Sequence, residues 1–442
     1  MSRKRFGGVP KLELYFSVKD DSMSKQPETD SVSALIQDSL HGRTTRRDIL
    51  RRGMQLGVAA SMITAMVEVN EMPALAQDAG EIVIGCPYNL TGAYQSIDVP
   101  AKDGSLLAAK LLNGNGGVLG KQIRLVVENG ESDLTTVTTI TKKMVDQDKV
   151  VGFAGLTDTD YVRAAGQVAQ EKHLPFVDVG GTAPIIAQIG DYIFLLPFGD
   201  NVQAAVGAEF AKDQGWATCA MLVNDGTSYT KFLAQYFKER YTMDDLGGQV
   251  VKELSYKADD TDFSSQVTDI KSLNPAPAMI YAAAAPNEVG TLIKQIREGG
   301  VEIPVLGGDG YDTPQLLELA GPSARNVYFT THEGIYGEQS PAAKTFNDAF
   351  TTEYGKAPDS IFAALGYDGI NLLCDAMTRA GDTAGDKVRD ALAATSGFKA
   401  ATGEISYKDG SHIPSKSVAI VVTKDGKFEL IKTTVPKTVP DA

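Results

Sequence analysis

The sequence predicts an α/β protein with two lobes, each built around a doubly wound parallel sheet. Three observations support this prediction. From Glu81 onward, short apolar runs recur at intervals of about 25 to 30 residues, helical patterns separate them, and the runs fall into two successive sets of five. Because each set has the size of one doubly wound sheet, two similar lobes are expected.

Residues 1–76 differ from the rest of the 442-residue chain and have the features of an export signal. A motif that resembles the twin-arginine signal at 45–50 (TRRDIL) is followed by a weakly apolar stretch at 53–67 and by a small-x-small sequence at 74–76. The apolar stretch is shorter than the ~20 residues needed to cross a bilayer. We therefore expect residues 1–76 to be removed, and the mature protein to reach the periplasm by the twin-arginine route without inserting into the membrane.

The chain after residue 76 is acidic, with 31 Lys and Arg against 47 Asp and Glu. This excess of negative charge argues against nucleic acid or an anionic lipid surface as a partner. The three cysteines, Cys86, Cys219 and Cys374, lie in apolar runs and lack metal-ligand spacing. Buried free thiols are therefore expected, with at most one disulfide.

The apolar runs define the candidate strands in chain order. The first set is expected at 82–86, 123–127, 150–154, 175–179 and 192–196. The second set is expected at 217–223, 249–254, 278–282, 303–306 and 327–330. Between them, segments such as the one containing Val137, Ile140 and Met144 have apolar residues at helical spacing.

The order of elements changes after residue 330. Helical patterns follow one another at 341–354, 359–380 and 386–394, and strands are expected at 403–407, 416–422 and 427–431. The last two strands are joined by Lys424, Asp425 and Gly426, a strong hairpin signal. This last third therefore does not form a simple third sheet.

The sequence lacks the usual catalytic motifs. It contains no G-x-S-x-G, no H-E-x-x-H and no pair of C-x-x-C sequences. We therefore expect a protein that is not an enzyme and that needs neither a cofactor nor a metal.

Two hydroxyl-rich loops in the first set and one acid in the second set suggest recognition of a small molecule. The loops 157–160 and 180–182 follow two consecutive candidate strands, so they would lie side by side at the edge where open α/β sheets bind ligands. Hydroxyls and helix N-termini suit a carboxylate, whereas Asp309 on the turn 307–310 suits an ammonium group. A small zwitterion would bridge the two. The alternative is that these residues only cap helices and turns, as most such residues do.

From residue 81 to 431 the chain resembles the periplasmic substrate-binding proteins of ABC transporters, specifically the branched-chain amino-acid (leucine/isoleucine/valine) type. The order and spacing of several motifs carry the resemblance. They are Gly92, the segment 116–121 (GGVLGK), the turn 180–184 (GGTAP), the segment 262–264 (DFS), the turn 307–310 (GGDG), and Tyr354 with Pro358 and Tyr367.

The resemblance implies two α/β lobes joined by three hinge crossings. Lobe 1 would comprise residues 77–200 and 331–410, and lobe 2 would comprise residues 201–330 and 411–442. It also implies a monomer that captures a small-molecule ligand, an amino acid or a relative of one, and delivers it to an inner-membrane ABC permease.

The resemblance also implies a set of ligand contacts. Residues of the loop Thr157, Asp158 and Thr159 and of the turn Gly180 and Thr182 would hold a ligand carboxylate. Asp309 would pair with an ammonium group, Tyr229 would pack over the ligand, and Phe362 would add a contact from lobe 1. Tyr229 could instead be a core aromatic residue at the start of a helix.

Three departures from the family pattern leave the ligand open. Asp158 places an acid in the loop that would bind a carboxylate, Ile97 replaces an aromatic residue, and Ala285 replaces a bulky one. The pocket could be wider than one for leucine, or adapted to an amide, a polyamine-like cation or an aromatic acid. Two other functions also remain open, namely a periplasmic ligand sensor and a hydrolase that uses the acidic loop 157–160.

Overall fold

The computed structural model describes residues 80–442, so the predicted export region lies outside the described residues. Its first sheet has five strands, all parallel. They are β1 (Ile82–Tyr88), β2 (Ile123–Asn129), β3 (Gly152–Gly155), β4 (Phe176–Asp178) and β5 (Ile193–Leu195), in the order β2-β1-β3-β4-β5. Because β3 and β4 are neighbours, their carboxyl ends meet at one edge of the sheet. We call this sheet and the helices packed on it lobe 1.

Three helices and a short 3-10 segment connect the strands of lobe 1. Two of the helices begin at an aspartate whose side chain accepts a hydrogen bond from a first-turn N–H: Asp133 binds the amide of Thr136, and Asp158 binds that of Asp160. The helices are α1 (Gln95–Gly114), α2 (Leu134–Asp146) and α3 (Thr159–Glu171), and the 3-10 segment is Pro184–Ile189.

The second set of strands forms the parallel part of another sheet, which we call lobe 2 together with its helices. The strands are β6 (Thr218–Asn224), β7 (Gln249–Tyr256), β8 (Met279–Ala283), β9 (Val305–Gly307) and β10 (Val327–Thr331). The helices are α4 (Asp200–Asp213), α5 (Ser228–Thr242), α6 (Ser264–Ser272), α7 (Val289–Glu298) and α8 (Pro314–Ala320).

The last third of the chain is shared between the lobes. It contains α9 (Pro341–Tyr354), α10 (Phe362–Ala380), α11 (Gly385–Ala393), the hairpin β11 (Phe398–Ala400) and β12 (Gly403–Ile405), and the hairpin β13 (Val418–Lys424) and β14 (Lys427–Thr434). The second hairpin completes a seven-stranded sheet in the order β14-β13-β10-β9-β8-β6-β7. The chain therefore passes between the lobes three times, after β5, β10 and β12.

Helix α10 packs tightly against α1 and belongs to lobe 1. Two glycines permit this close approach. A Cβ atom on Gly104 would lie 1.8 Å from the carbonyl oxygen of Ala363, and one on Gly366 would lie 1.8 Å from that of Ala101. Because the two backbones touch, larger residues at these positions would force the helices apart.

The α/β prediction with two parallel-sheet lobes is confirmed, and each of the ten predicted parallel strands is present. One strand was missed, since β11 has only three residues, too few for a recognisable strand pattern. The three cysteines are free and buried. In the part of the chain from residue 80 onward, no helix combines the length and the apolar character that crossing a membrane requires.

Candidate ligand-binding site

All eight residues that the sequence singled out line one cavity between the lobes. They are joined there by four further residues. The complete lining is Tyr94, Ile97, Thr157, Asp158, Thr159, Gly180, Thr182, Tyr229, Pro286, Asp309, Gly310 and Phe362. The cavity, which we call the inner cavity, contains about 250 Å³ of space between atoms, but the centre of a water molecule can reach only about 10 Å³ of it. The lobes are therefore closed on one another, and a ligand would require them to part.

Thr157 follows β3 and faces a buried aspartate of α1. Its hydroxyl donates a hydrogen bond to Oδ1 of Asp98 over 2.5 Å, and the amide of Asn89 donates to Oδ2 over 2.6 Å. Burial raises the pKa of Asp98 to about 7, although both hydrogen bonds favour its ionised form. When Asp98 is ionised, the Thr157 proton therefore points to the protein and not to the inner cavity.

Asp158 caps helix α3 while it lines the inner cavity. Its Oδ1 accepts from the amide of Asp160 over 3.0 Å, and the residue is 4% exposed. Burial raises the pKa of Asp158 to about 7, and the nearby negative charge of Asp160 adds to this rise. The capping alternative is thus correct for this residue, yet the same carboxyl group also belongs to the cavity wall.

The glycine turn after β4 is organised by a second buried aspartate. Oδ1 of Asp178 accepts from the amides of Gly180 and Gly181, over 3.0 and 2.7 Å. Burial raises the pKa of Asp178 well above its ordinary value. A Cβ atom on Gly180 would lie 2.8 Å from Cβ of Thr157, so the turn packs directly on the neighbouring loop. The amide of Gly180 therefore binds a protein carboxylate, while the residue itself lines the inner cavity.

Two hydroxyl groups in the inner cavity lack partners. Oγ1 of Thr159, which is fully buried, and the hydroxyl of Tyr94 make no hydrogen bond within residues 80–442. The hydroxyl of Tyr94 lies close to Asp158. Because a buried polar atom without a partner is costly, these atoms mark positions where a ligand could donate or accept a hydrogen bond.

Asp309 forms the opposite wall, from the carboxyl end of β9. Its Oδ1 accepts from the hydroxyl of Tyr229 and from Nε2 of Gln203, both over 2.9 Å. The same Nε2 atom donates to Oδ1 of Asp200 over 3.0 Å, so one amide group joins two carboxylates. Tyr229, the second residue of α5, thus positions Asp309 as well as lining the cavity.

The second oxygen of Asp309 accepts no hydrogen bond from residues 80–442. In the described part of the chain, the nearest basic atom is Nε2 of His332, 3.8 Å from Oδ2. Burial lowers the pKa of His332 to about 4, and its ring stacks on Phe198 with centroids 3.9 Å apart. His332 is therefore neutral at pH 7, and Oδ2 of Asp309 remains available to an ammonium group.

A second cavity, which we call the outer cavity, shares Tyr94 and Asp158 with the inner one. It contains about 640 Å³ of space between atoms, of which the centre of a water molecule can reach about 210 Å³, and its lining includes the acids Asp160, Asp259 and Glu288. Asp160 accepts from the backbone amide of Ser228 over 2.9 Å, which joins α3 of lobe 1 to the N-terminus of α5 in lobe 2. The outer cavity therefore lies at the closed junction of the lobes.

Sequence reasoning missed the buried acids that organise this site, namely Asp98, Asp178 and Asp200. Each of them is wholly buried. The sequence contained a signal for Asp178, because an aspartate inside an apolar run such as Phe176 to Val179 is expected to be buried. Buried carboxylates are rare unless they are paired. Asp98 gave no such signal, since the start of α1 has no clear apolar periodicity.

Comparison with known proteins identifies the family. Residues 81–427 match the model of the periplasmic binding protein family. A curated relative, the leucine-, isoleucine-, valine-, threonine- and alanine-binding protein of Pseudomonas aeruginosa, is 23% identical over 76% of this chain and 87% of its own.

Two crystal structures show the same architecture. The leucine-binding protein LivK of Thermotoga maritima has a TM-score of 0.75 and 28% identity over 80% of this chain and 99% of its own. LivJ of Streptococcus pneumoniae, a branched-chain amino-acid transporter substrate-binding protein solved with isoleucine, has a TM-score of 0.75 and 27% identity over 81% of this chain and 100% of its own. With the family match over residues 81–427, these similarities show that the chain belongs to the periplasmic binding protein family, whose members are binding proteins and not enzymes.

Proposed function

We propose that this protein is an exported solute-binding protein of an ABC transporter. It captures an amino acid or a related small polar solute between its lobes and delivers it, as a monomer, to an inner-membrane permease. Closure of the lobes buries the ligand and creates the shape that the permease recognises. The comparison with relatives that bind branched-chain amino acids supports the transport role.

The observation that carries the proposal is the carboxylate of Asp309 in the inner cavity. It is 2% exposed, it is oriented by Tyr229 and Gln203, and one of its oxygens has no donor among the residues that the structure describes. A buried carboxylate that is fixed but incompletely paired is suited to bind an amine of the ligand. We assign the ligand contacts to the same eight residues: Thr157, Asp158, Thr159, Gly180, Thr182, Tyr229, Asp309 and Phe362.

A thermal-shift screen over amino acids, amides, polyamines and aromatic acids tests this proposal. A ligand at 100 times its dissociation constant adds about 2.7 kcal/mol to the free energy of unfolding. We expect Asp309→Asn, which preserves the shape of the side chain, to abolish the shift caused by an amine-bearing ligand. The control is Asp269→Asn in the same lobe, because the side chain of Asp269 is 49% exposed and its ion-pair partner within residues 80–442 is the surface residue Lys252. An unchanged shift in Asp309→Asn would refute the ammonium assignment.

We also propose that residues 1–76 are a twin-arginine signal that is removed on export to the periplasm. The motif at 45–50 and the small-x-small sequence at 74–76 support this proposal. Mass spectrometry of the exported protein should find a mature chain that begins at Gln77. A secreted chain that retains the segment 45–50 would contradict the proposal.

A further inference from the structure

The walls of the inner cavity carry an unusual number of carboxyl groups. Asp158 and Asp309 line it from opposite lobes, and three more buried aspartates lie directly behind the lining. Asp98 is bonded to Thr157, Asp178 is bonded to Gly180, and Asp200 shares the Gln203 amide with Asp309. Asp98 and Asp178 are thus hydrogen-bonded directly to residues of the lining, and Asp200 shares a donor with one.

Positive charge is missing from the same walls. Within the described chain, neither the inner nor the outer cavity has a Lys, Arg or His among its lining residues. Two basic side chains lie close to lining acids without lining either cavity: the neutral His332 is 3.8 Å from Asp309, and the guanidinium of Arg163 is 3.7 Å from Asp160. A ligand carboxylate in the inner cavity would therefore face several carboxyl groups without a compensating cation.

Some of the donors expected to hold a ligand carboxylate are already bonded to buried acids. The hydroxyl of Thr157 binds Asp98, and the amides of Gly180 and Gly181 bind Asp178. The hydroxyls of Thr159 and Tyr94 have no partner within residues 80–442 and can accept hydrogen bonds from an ammonium group. Thr159 is fully buried and lines the inner cavity, so it is a second indication, independent of the acids, that a polar ligand group belongs there.

We infer that the inner cavity takes a small aliphatic diamine or a similar amine without a free carboxylate, and not a zwitterionic amino acid. One amine group would bind Oδ2 of Asp309, and the other would bind Asp158 with help from the hydroxyls of Thr159 and Tyr94. This inference rests on the proposed function, because it concerns the ligand of the same site. A metal ion is a poor alternative, since the acids of residues 80–442 do not converge in a cluster that could hold one.

The direct test compares leucine with 3-methylbutan-1-amine, which differs from leucine only by the missing carboxylate, and with 1,4-diaminobutane. Isothermal titration calorimetry on the mature protein measures the three dissociation constants. We expect the diamine to bind most tightly and the monoamine to bind at least tenfold more tightly than leucine. Leucine binding as tightly as the monoamine, or more tightly, would overturn the inference.

The variant Asp158→Asn separates the role of Asp158 in ligand binding from its role as the cap of helix α3. Asparagine caps a helix about as well as aspartate does, so the variant should fold and lose only the carboxylate. We expect at least tenfold weaker binding of 1,4-diaminobutane and a smaller preference for 3-methylbutan-1-amine over leucine. The matched control is Asp133→Asn, because Asp133 caps α2 in the same way and lines neither cavity. Unchanged diamine affinity in Asp158→Asn would show that Asp158 only caps its helix and would overturn the inference.

The two proposals fail in different ways. If leucine alone binds, the diamine inference is wrong and the solute-binding function stands. If neither leucine nor either amine binds, both the inference and the assignment of Asp309 to an amine are wrong. If the amines bind and Asp309→Asn has no effect on them, the amine class is correct and the position of its ammonium group is wrong.

Discussion

Buried aspartates determine the charge and the hydrogen bonding of the site more than the two hydroxyl-rich loops of lobe 1 do. Asp98 and Asp178 bind the hydroxyl or amide groups of Thr157 and Gly180, so these loops are held in place by acids that do not themselves line the inner cavity. The eight candidate residues could be identified from the sequence because the loops follow apolar strands and the family motifs align with them.

The hydrogen-bond partners of those residues could not be predicted in the same way. Thr157 and Asp98 are 59 positions apart, and Gln203 and Asp309 are 106 positions apart. Pairings over such distances depend on how strands and helices pack, and not on local spacing. Asp158 illustrates the difference: the sequence showed an acid in an unexpected loop, whereas the structure shows that it is both a helix cap and a cavity wall.

At the scale of elements, the positions of the strands were predictable and several boundaries were not. The apolar runs located β4, β5 and β9 although each has only three residues. Helix α10 was expected from residue 359 but begins at Phe362. The reason is a contact from lobe 2, since the hydroxyl of Ser360 donates to the carbonyl oxygen of Asp312 over 2.9 Å and the amide of Ile361 donates to its carboxylate over 3.1 Å.

The junction between α3 and α5 leads to a prediction about closure of the lobes. Asp160, in the first turn of α3, binds the amide of Ser228 at the N-terminus of α5, where a negative charge also interacts favourably with the helix dipole. This contact requires no ligand, so it stabilises the closed state by itself. We expect Asp160→Ala to open the ligand-free protein and to weaken ligand binding roughly tenfold, which corresponds to the loss of one hydrogen bond to a charged group.

Small-angle X-ray scattering of the ligand-free protein measures the opening directly, as an increase in the radius of gyration. The control is Asp348→Ala, which removes the same charge from an exposed site on α9 where Asp348 pairs with Lys344. An unchanged radius of gyration in Asp160→Ala, together with unchanged affinity, would mean that the contact between α3 and α5 does not influence closure.

At the scale of the whole molecule, the closed cleft brings together acids from both lobes that would repel one another when ionised. Burial raises the pKa of Asp98 and Asp158 to about 7, and that of Asp312 and Glu288 to about 6. The unfolded chain releases these protons near pH 4, so the folded protein holds more protons between pH 4 and pH 7. Stability therefore falls as the pH rises through this range.

Buried basic groups oppose this fall in stability only at the lower end of the pH range and above it. Burial lowers the pKa of His332 to about 4 and also lowers that of His412, so below pH 6.5 these two histidines oppose the trend of the four acids. Burial lowers the pKa of Lys416 to about 8, which makes stability rise with pH only above that value. The window in which the acids dominate is therefore about pH 5 to pH 8.

We expect the ligand-free protein to be less stable at pH 8 than at pH 5.5 by roughly 2 kcal/mol or more, as measured by urea unfolding. Asp158→Asn should reduce this difference, because it removes one group that must ionise inside the cleft, whereas Asp133→Asn should not. An amine ligand should stabilise the protein more at pH 8 than at pH 5.5, since it binds the ionised carboxylates and compensates their repulsion. If the ligand-free protein becomes more stable between pH 5.5 and pH 8, ionisation of the buried carboxyl groups in the cleft does not destabilise it.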